Sequence, residues 1–285
     1  MLAALLACHL FFTPSDAKFA YSKAEELVAD YTPRDSGTIR GRFAANYIFD
    51  SLQAVGAHPK QDKFAAKTPK GYRFFTNIYA EWVSDPEMPW IILISHFDTK
   101  SLKNCPGAND GASTTGLLIA IAQILSKNSP NSINIALQWL DGEECMIAYR
   151  KNDGFWGSNR AAEQLASSGR NVKAVICLDM LGDKDLNISI PRNTTDFLRN
   201  IALQAAFNTG YSHIIHESNE SIKDDHIAFL NNGFPAIDLI DFEFGSESGL
   251  NDYWHTNEDT IDKISVGSLT KAGSIAVEMI NLLSK

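Results

Sequence analysis

The stretch Ile133-Asn-Ile-Ala-Leu-Gln-Trp-Leu-Asp-Gly-Glu-Glu144 decides how this chain is read. From 133 to 140 its apolar residues run without clean alternation, as in a strand covered on both faces. The run ends on Asp141-Gly-Glu143-Glu144. Two carboxylates side by side at the end of a buried strand raise each other's pKa, and burial adds to the penalty. A cation relieves both. A Glu-Glu pair taken alone is more often a solvated strand end, but three further segments give this one weight: His96-Phe-Asp98, Gly107-Ala-Asn-Asp110-Gly111 and Trp254-His255-Thr256. Hard oxygen and imidazole donors together suit zinc, which takes about four ligands and in a catalytic site keeps one position open.

Working outward, similar apolar runs recur. Residues 76–83 and 90–96 read as strands around the turn Asp85-Pro-Glu-Met-Pro89; 133–140, 172–178, 186–190 and 236–240 are further strands. Helical spacing appears twice within 18–55, where Phe43, Tyr47, Ile48, Leu52 and Val55 recur, and again at 111–127, 157–168, 194–209, 225–232 and from 266. Strands separated by helices predict one α/β domain, an α/β/α sandwich around a mixed, largely parallel sheet. His96, Asp98, Glu143, Glu144 and Asp179 then all fall at strand ends, where ligands bind in such sheets.

Composition narrows the partners. The 285 residues carry a formal charge of −9 and no basic cluster, which argues against nucleic acid. With 45% hydrophobic residues the chain has ample material for a core. The apolar start, residues 1–12, is too short to span a bilayer, which takes about 20 residues. Thr13-Pro-Ser-Asp-Ala17 ends in a small-x-small pattern that a signal peptidase could cut. Residues 1–17 are therefore read as a signal peptide in preference to a frayed N-terminal helix, and 18–285 as the single domain of an exported monomer, whether secreted, periplasmic or lipid-anchored through the Leu5-Leu-Ala-Cys8 segment. Cys105, Cys145 and Cys177 allow at most one disulfide, and no CxxC spacing supports a cysteine zinc site.

The order of motifs resembles the M28 family of zinc aminopeptidases and, more closely, its glutaminyl cyclase branch. The family likeness rests on His96-x-Asp98, Asn109-Asp110-Gly-Ala, Asp141-Gly-Glu143-Glu144, Trp156-Gly-Ser158, Leu178-Asp179, Asp225-His226 and His255-Thr. The cyclase likeness rests on Thr68-Pro-Lys-Gly-Tyr-Arg-Phe-Phe-Thr-Asn-Ile78, Lys223-Asp224-Asp225-His226-Ile-Ala-Phe229 and Trp254-His255-Thr-Asn-Glu-Asp259, so that it spans the chain from about residue 20 to its end. The resemblance implies a zinc aminopeptidase-like fold, Asp110, Glu144 and His255 as ligands of one zinc, and Glu143 as general acid/base. It further implies Asp224 and Asp179 in a network with Glu143, Trp254 and Tyr149 as pocket walls, and peptides or proteins with N-terminal Gln as substrates.

An M28 aminopeptidase would use nearly the same residues with two zincs, His96 and Asp179 completing the second site. Asp224, where aminopeptidases commonly carry Ser, and Trp254 lean towards the cyclase. A catalytically silent peptide-binding domain is the third reading; such chains usually lose the base or a ligand, and neither is missing here. Departures from the animal cyclases are Tyr149 in place of a Trp, Asp238 in place of a His, a longer segment at 243–253, and no disulfide framework.

Overall fold

A computed structural model of the chain describes residues 9–102 and 104–285. Two helices, α1 (Pro14–Tyr31) and α2 (Ile39–Ala54), lead into a hairpin of β1 (Lys60–Thr68) and β2 (Gly71–Trp82). Then follow β3 (Trp90–His96), α3 (Thr114–Lys127), β4 (Asn134–Leu140), α4 (Trp156–Ser168), β5 (Val172–Asp179), β6 (Ile188–Ile190) and α5 (Asp196–Thr209). β7 (Ile215–Glu217), α6 (His226–Asn231), β8 (Ala236–Ile240) and α7 (Val266–Leu283) complete the chain.

The strands form one sheet in the order β1-β2-β4-β3-β5-β8-β6-β7. Its centre, β4-β3-β5-β8, is parallel. The β1–β2 hairpin joins antiparallel at one side, and β6 meets β8 antiparallel at the other. The sheet is mixed and largely parallel at its core, inside a single α/β domain.

Period-two alternation sends the side chains of the central strands to both faces. Ile91, Leu93, Ile135 and Leu137 pack with α1, α2, α3, α5 and α7 in the larger core. Ile92, Ile94, Ala136 and Leu140 pack with α4 and α6 in the smaller one. This two-sided burial is why the strands read as continuous apolar runs.

The boundary expected after Ala17 falls inside α1. Residues 1–8, including Cys8, lie outside the described residues. From residue 9 onwards the segment is packed: Leu10 and Phe12 belong to the larger core, and Thr13 caps α1 in a reciprocal pair with Asp16. Leu10 also exchanges backbone hydrogen bonds with the side chain of Asn281 on α7. A chain starting at Lys18 is expected to lose about 4 kcal/mol of stability, from two buried apolar side chains and a cap. Urea unfolding of the full and shortened chains measures this; equal midpoints would contradict it. No helix among the described residues is long and apolar enough to cross a membrane.

Candidate metal centre and acid-base site

The parallel strands end on one edge, and the loops beyond them carry the polar residues. His96 closes β3 and Asp179 closes β5. Glu143 and Glu144 follow β4, Asp110 lies in the irregular turn Ala108–Ser113 before α3, Asp224 lies just before α6, and His255 follows β8. The helix expected from residue 111 begins at Thr114, because Asp110 and Gly111 leave helical geometry. Gly111 has φ 92°, and a Cβ there would meet His96 Cε1 and the Asp98 carbonyl at 3.0 Å, so only glycine lets the turn pass this close.

Asp110, Glu144 and His255 converge from three distant stretches, one donor atom from each lying within 4.8 Å of the others. His255 Nε2 is 3.0 Å from Glu144 Oε1 and 3.4 Å from Asp110 Oδ2. His255 adopts φ 58°, a left-handed conformation that is unfavourable for a non-glycine residue and is held here by its surroundings. A second group, His96, Asp110 and Asp179, shares Asp110: His96 Nε2 is 3.1 Å from Asp110 Oδ1 and 3.2 Å from Asp179 Oδ1.

The donor chemistry fits a divalent ion. Carboxylate oxygen and imidazole nitrogen both ligate zinc, and three such donors leave a fourth position open; Glu144 Oε1 is buried with no hydrogen-bond donor aligned on it. Glu143, although adjacent in sequence, belongs to neither group. Its Oε2 lies 3.1 Å from the Tyr149 hydroxyl, which is also 2.9 Å from Glu144 Oε2.

Environment drives the two glutamates apart. Burial, then the charge of Glu144, holds Glu143 well above the usual carboxylate range. Burial would raise Glu144 too, but His255 beside it and then Lys100 pull it down to about 2. Neighbouring carboxyls with opposed shifts are the pattern of a proton carrier beside a permanent anion. Burial likewise raises Asp110, Asp179 and Asp224.

The turn holding both glutamates is fixed by Asp98, whose carboxylate accepts the N–H groups of Gly142, Glu143 and Glu144 at 2.9–3.2 Å. A cavity of about 360 Å³ opens onto Asp110, Glu143, Asp179, Asp224 and His255. Tyr149, Trp254 and Phe242 are among its walls. The Trp254 ring stacks on His255 at 3.7 Å and meets Phe242 edge-on at 5.0 Å.

Behind the cavity, Asp224 and Asp238 lie within 4.8 Å of each other and of the Cys177 thiol, which donates to Asp224 Oδ2 at 3.8 Å. Burial, then Asp224, raises Asp238 well above its ordinary range. His226 of the Asp225-His226 motif is fully buried, outside the cavity, and burial lowers its pKa to about 4. His213 and His216 are exposed, Trp90 and Trp139 are core residues, and Trp82 is half-buried. Cys105, Cys145 and Cys177 are all free and buried.

Lys100 escaped the sequence reading. Its ammonium lies 3.1 Å from Glu144 Oε2, 2.9 Å from Cys145 Sγ and 4.6 Å from the Tyr149 ring centre. The available signal was its position two residues after Asp98. Phe242 escaped too, since an aromatic after a strand carries no signal of its own.

Residues 77–280 match the model of peptidase family M28. A glutaminyl-peptide cyclotransferase of Bothrops jararaca is 25% identical over 90% of this chain and 79% of its own length. A solved glutaminyl cyclase from an Acidobacteriales bacterium is 33% identical and superposes with a TM-score of 0.89, covering 100% of this chain and 98% of its own. The Porphyromonas gingivalis glutaminyl cyclase is 25% identical with a TM-score of 0.84, over 95% of this chain and 98% of its own.

Proposed function

The chain belongs to peptidase family M28 and to its glutaminyl cyclase branch, and from that premise we propose that it converts the N-terminal Gln of peptides and proteins to pyroglutamate, releasing ammonia. The observation that carries this reading is the division between neighbouring glutamates: Glu144 lies in a three-donor group while Glu143 faces the cavity free of it. Asp110, Glu144 and His255 would hold one zinc, with a fourth position left for substrate oxygen. Zinc bound there supplies polarisation of the γ-carboxamide.

The remaining chemistry falls to the protein. The aromatic walls Trp254, Phe242 and Tyr149 shape a cavity in which the Gln side chain folds back onto its own α-amine. Ordering of that kind is worth at most ~7–11 kcal/mol. As the amine attacks the amide carbon and closes the five-membered ring, Glu143 takes an amine proton and returns it to the departing ammonia. Asp179 and Asp224 line the same cavity as Glu143, and burial raises both above the usual carboxylate range.

One observation favours a second reading. The His96, Asp110 and Asp179 group shares Asp110 with the first and would hold a second zinc, as a zinc aminopeptidase would need, with Glu143 then serving as the base for water. The two readings part on substrate. The cyclase releases ammonia from Gln-dipeptides, is stopped by chelators and is inhibited by imidazoles that occupy the open position. Release of Leu from Leu-p-nitroanilide without ammonia from Gln-dipeptides would make it an aminopeptidase. Stoichiometric zinc with neither turnover would make it a peptide-binding domain. The reading also includes an exported enzyme, supported by the apolar residues 1–8 ahead of the packed segment and tested by fractionating cells that express the full chain.

A further inference from the structure

The turn that carries Asp110 is irregular and buried, and it is gripped from two sides. Gly107 takes a left-handed φ of 60°, and a Cβ there would meet the Asp110 carbonyl at 2.6 Å and Arg34 Nη2 at 2.9 Å. Arg34 is completely buried. Its Nε donates to the Phe97 carbonyl at 2.6 Å and Nη1 to that of Pro106 at 2.6 Å. Its Nη2 donates to the Gly107 carbonyl at 2.5 Å and to that of Asp110 at 3.4 Å. From the opposite side the buried carboxylate of Asp259 accepts the N–H groups of Asn109 at 2.7 Å and Asp110 at 3.1 Å.

We infer that Arg34 and Asp259 are positioning residues that set the metal affinity of the centre, by clamping the main chain on both sides of Asp110 while leaving its carboxylate free. The inference rests on the reading of Asp110 as a ligand. Buried carbonyls without donors are costly, and only the planar fork of Arg reaches four of them from one side chain. The clamp ties the α1–α2 connection and the segment after His255 to the turn before α3. Groups that orient a ligand without touching the metal are typically worth ~10–100-fold in affinity.

The test measures zinc dissociation constants by competition with a chromophoric chelator, with thermal midpoints of the metal-free proteins alongside. Arg34→Lys and the near-isosteric Asp259→Asn are each expected to weaken zinc binding by ~10–100-fold, and added zinc should raise their melting temperatures less than that of the wild type. Lowered metal-free midpoints with zinc constants within about twofold of wild type would show a purely structural brace and overturn the inference. Should Arg34→Lys not fold, Asp259→Asn decides alone. Asp110→Ala separates the two levels: if it leaves wild-type zinc binding unchanged, the ligand reading fails and takes the inference with it. If it alone weakens binding, only the clamp fails.

Discussion

Glu143→Gln is expected to lower kcat for Gln-dipeptide cyclisation by ~10²–10⁴ while leaving zinc bound, the usual worth of a general acid/base. The substitution keeps the size of the side chain and an oxygen for the Tyr149 hydroxyl now 3.1 Å away. It removes only the capacity to take a proton and return it. Because Glu143 lies outside both donor groups, the zinc constant should stay within about twofold of wild type. Steady-state kinetics with metal analysis of the same preparation checks both halves. Retained turnover would remove Glu143 from the mechanism, and loss of zinc would make it a ligand.

Asp110→Ala is expected to have the opposite signature. Its two oxygens face different partners, Oδ1 towards His96 and Oδ2 towards His255, so one truncation opens both donor groups. Zinc binding should fall by more than ~10²-fold, the upper value for residues that only orient ligands, and activity should fall with it. Glu144 and His255 would still face each other 3.0 Å apart, so the fold keeps that contact. Far-UV circular dichroism like that of the wild type, with no bound zinc, is the predicted outcome. Stoichiometric zinc in this variant would exclude Asp110 as a ligand.

How much of this was legible in the sequence follows from burial. β3, β4 and β5 were readable because helices cover both faces of the sheet and force apolar residues at nearly every position. β1 was not: it is an edge strand whose Lys60, Lys63 and Lys67 face solvent, and it pairs only with β2. β7, three residues long, offers too little pattern to detect. The Thr13-Pro-Ser-Asp16 segment was read as the approach to a cleavage site, although the same residues spell a helix start with a reciprocal cap. Glu143 and Glu144 stood out because adjacent acids at the end of a buried strand need a reason, and Asp110 and His255 because they stand in short motifs that supply further hard donors. That Glu144 turns into the donor group and Glu143 away from it was implied by resemblance alone, since it depends on how Asp98 grips the turn. The roles of Arg34 and Asp259 were invisible because their contacts are with main chain, which leaves no pattern in side-chain types.

The most direct measurement is an anomalous difference map, collected at the zinc absorption edge from crystals of the zinc-loaded protein. The account predicts a peak about 2.0–2.2 Å from Asp110, Glu144 and His255 donors, with Glu143 uncoordinated. A peak confined to the Cys177, Asp224 and Asp238 cluster, or one coordinated by Glu143, would contradict it.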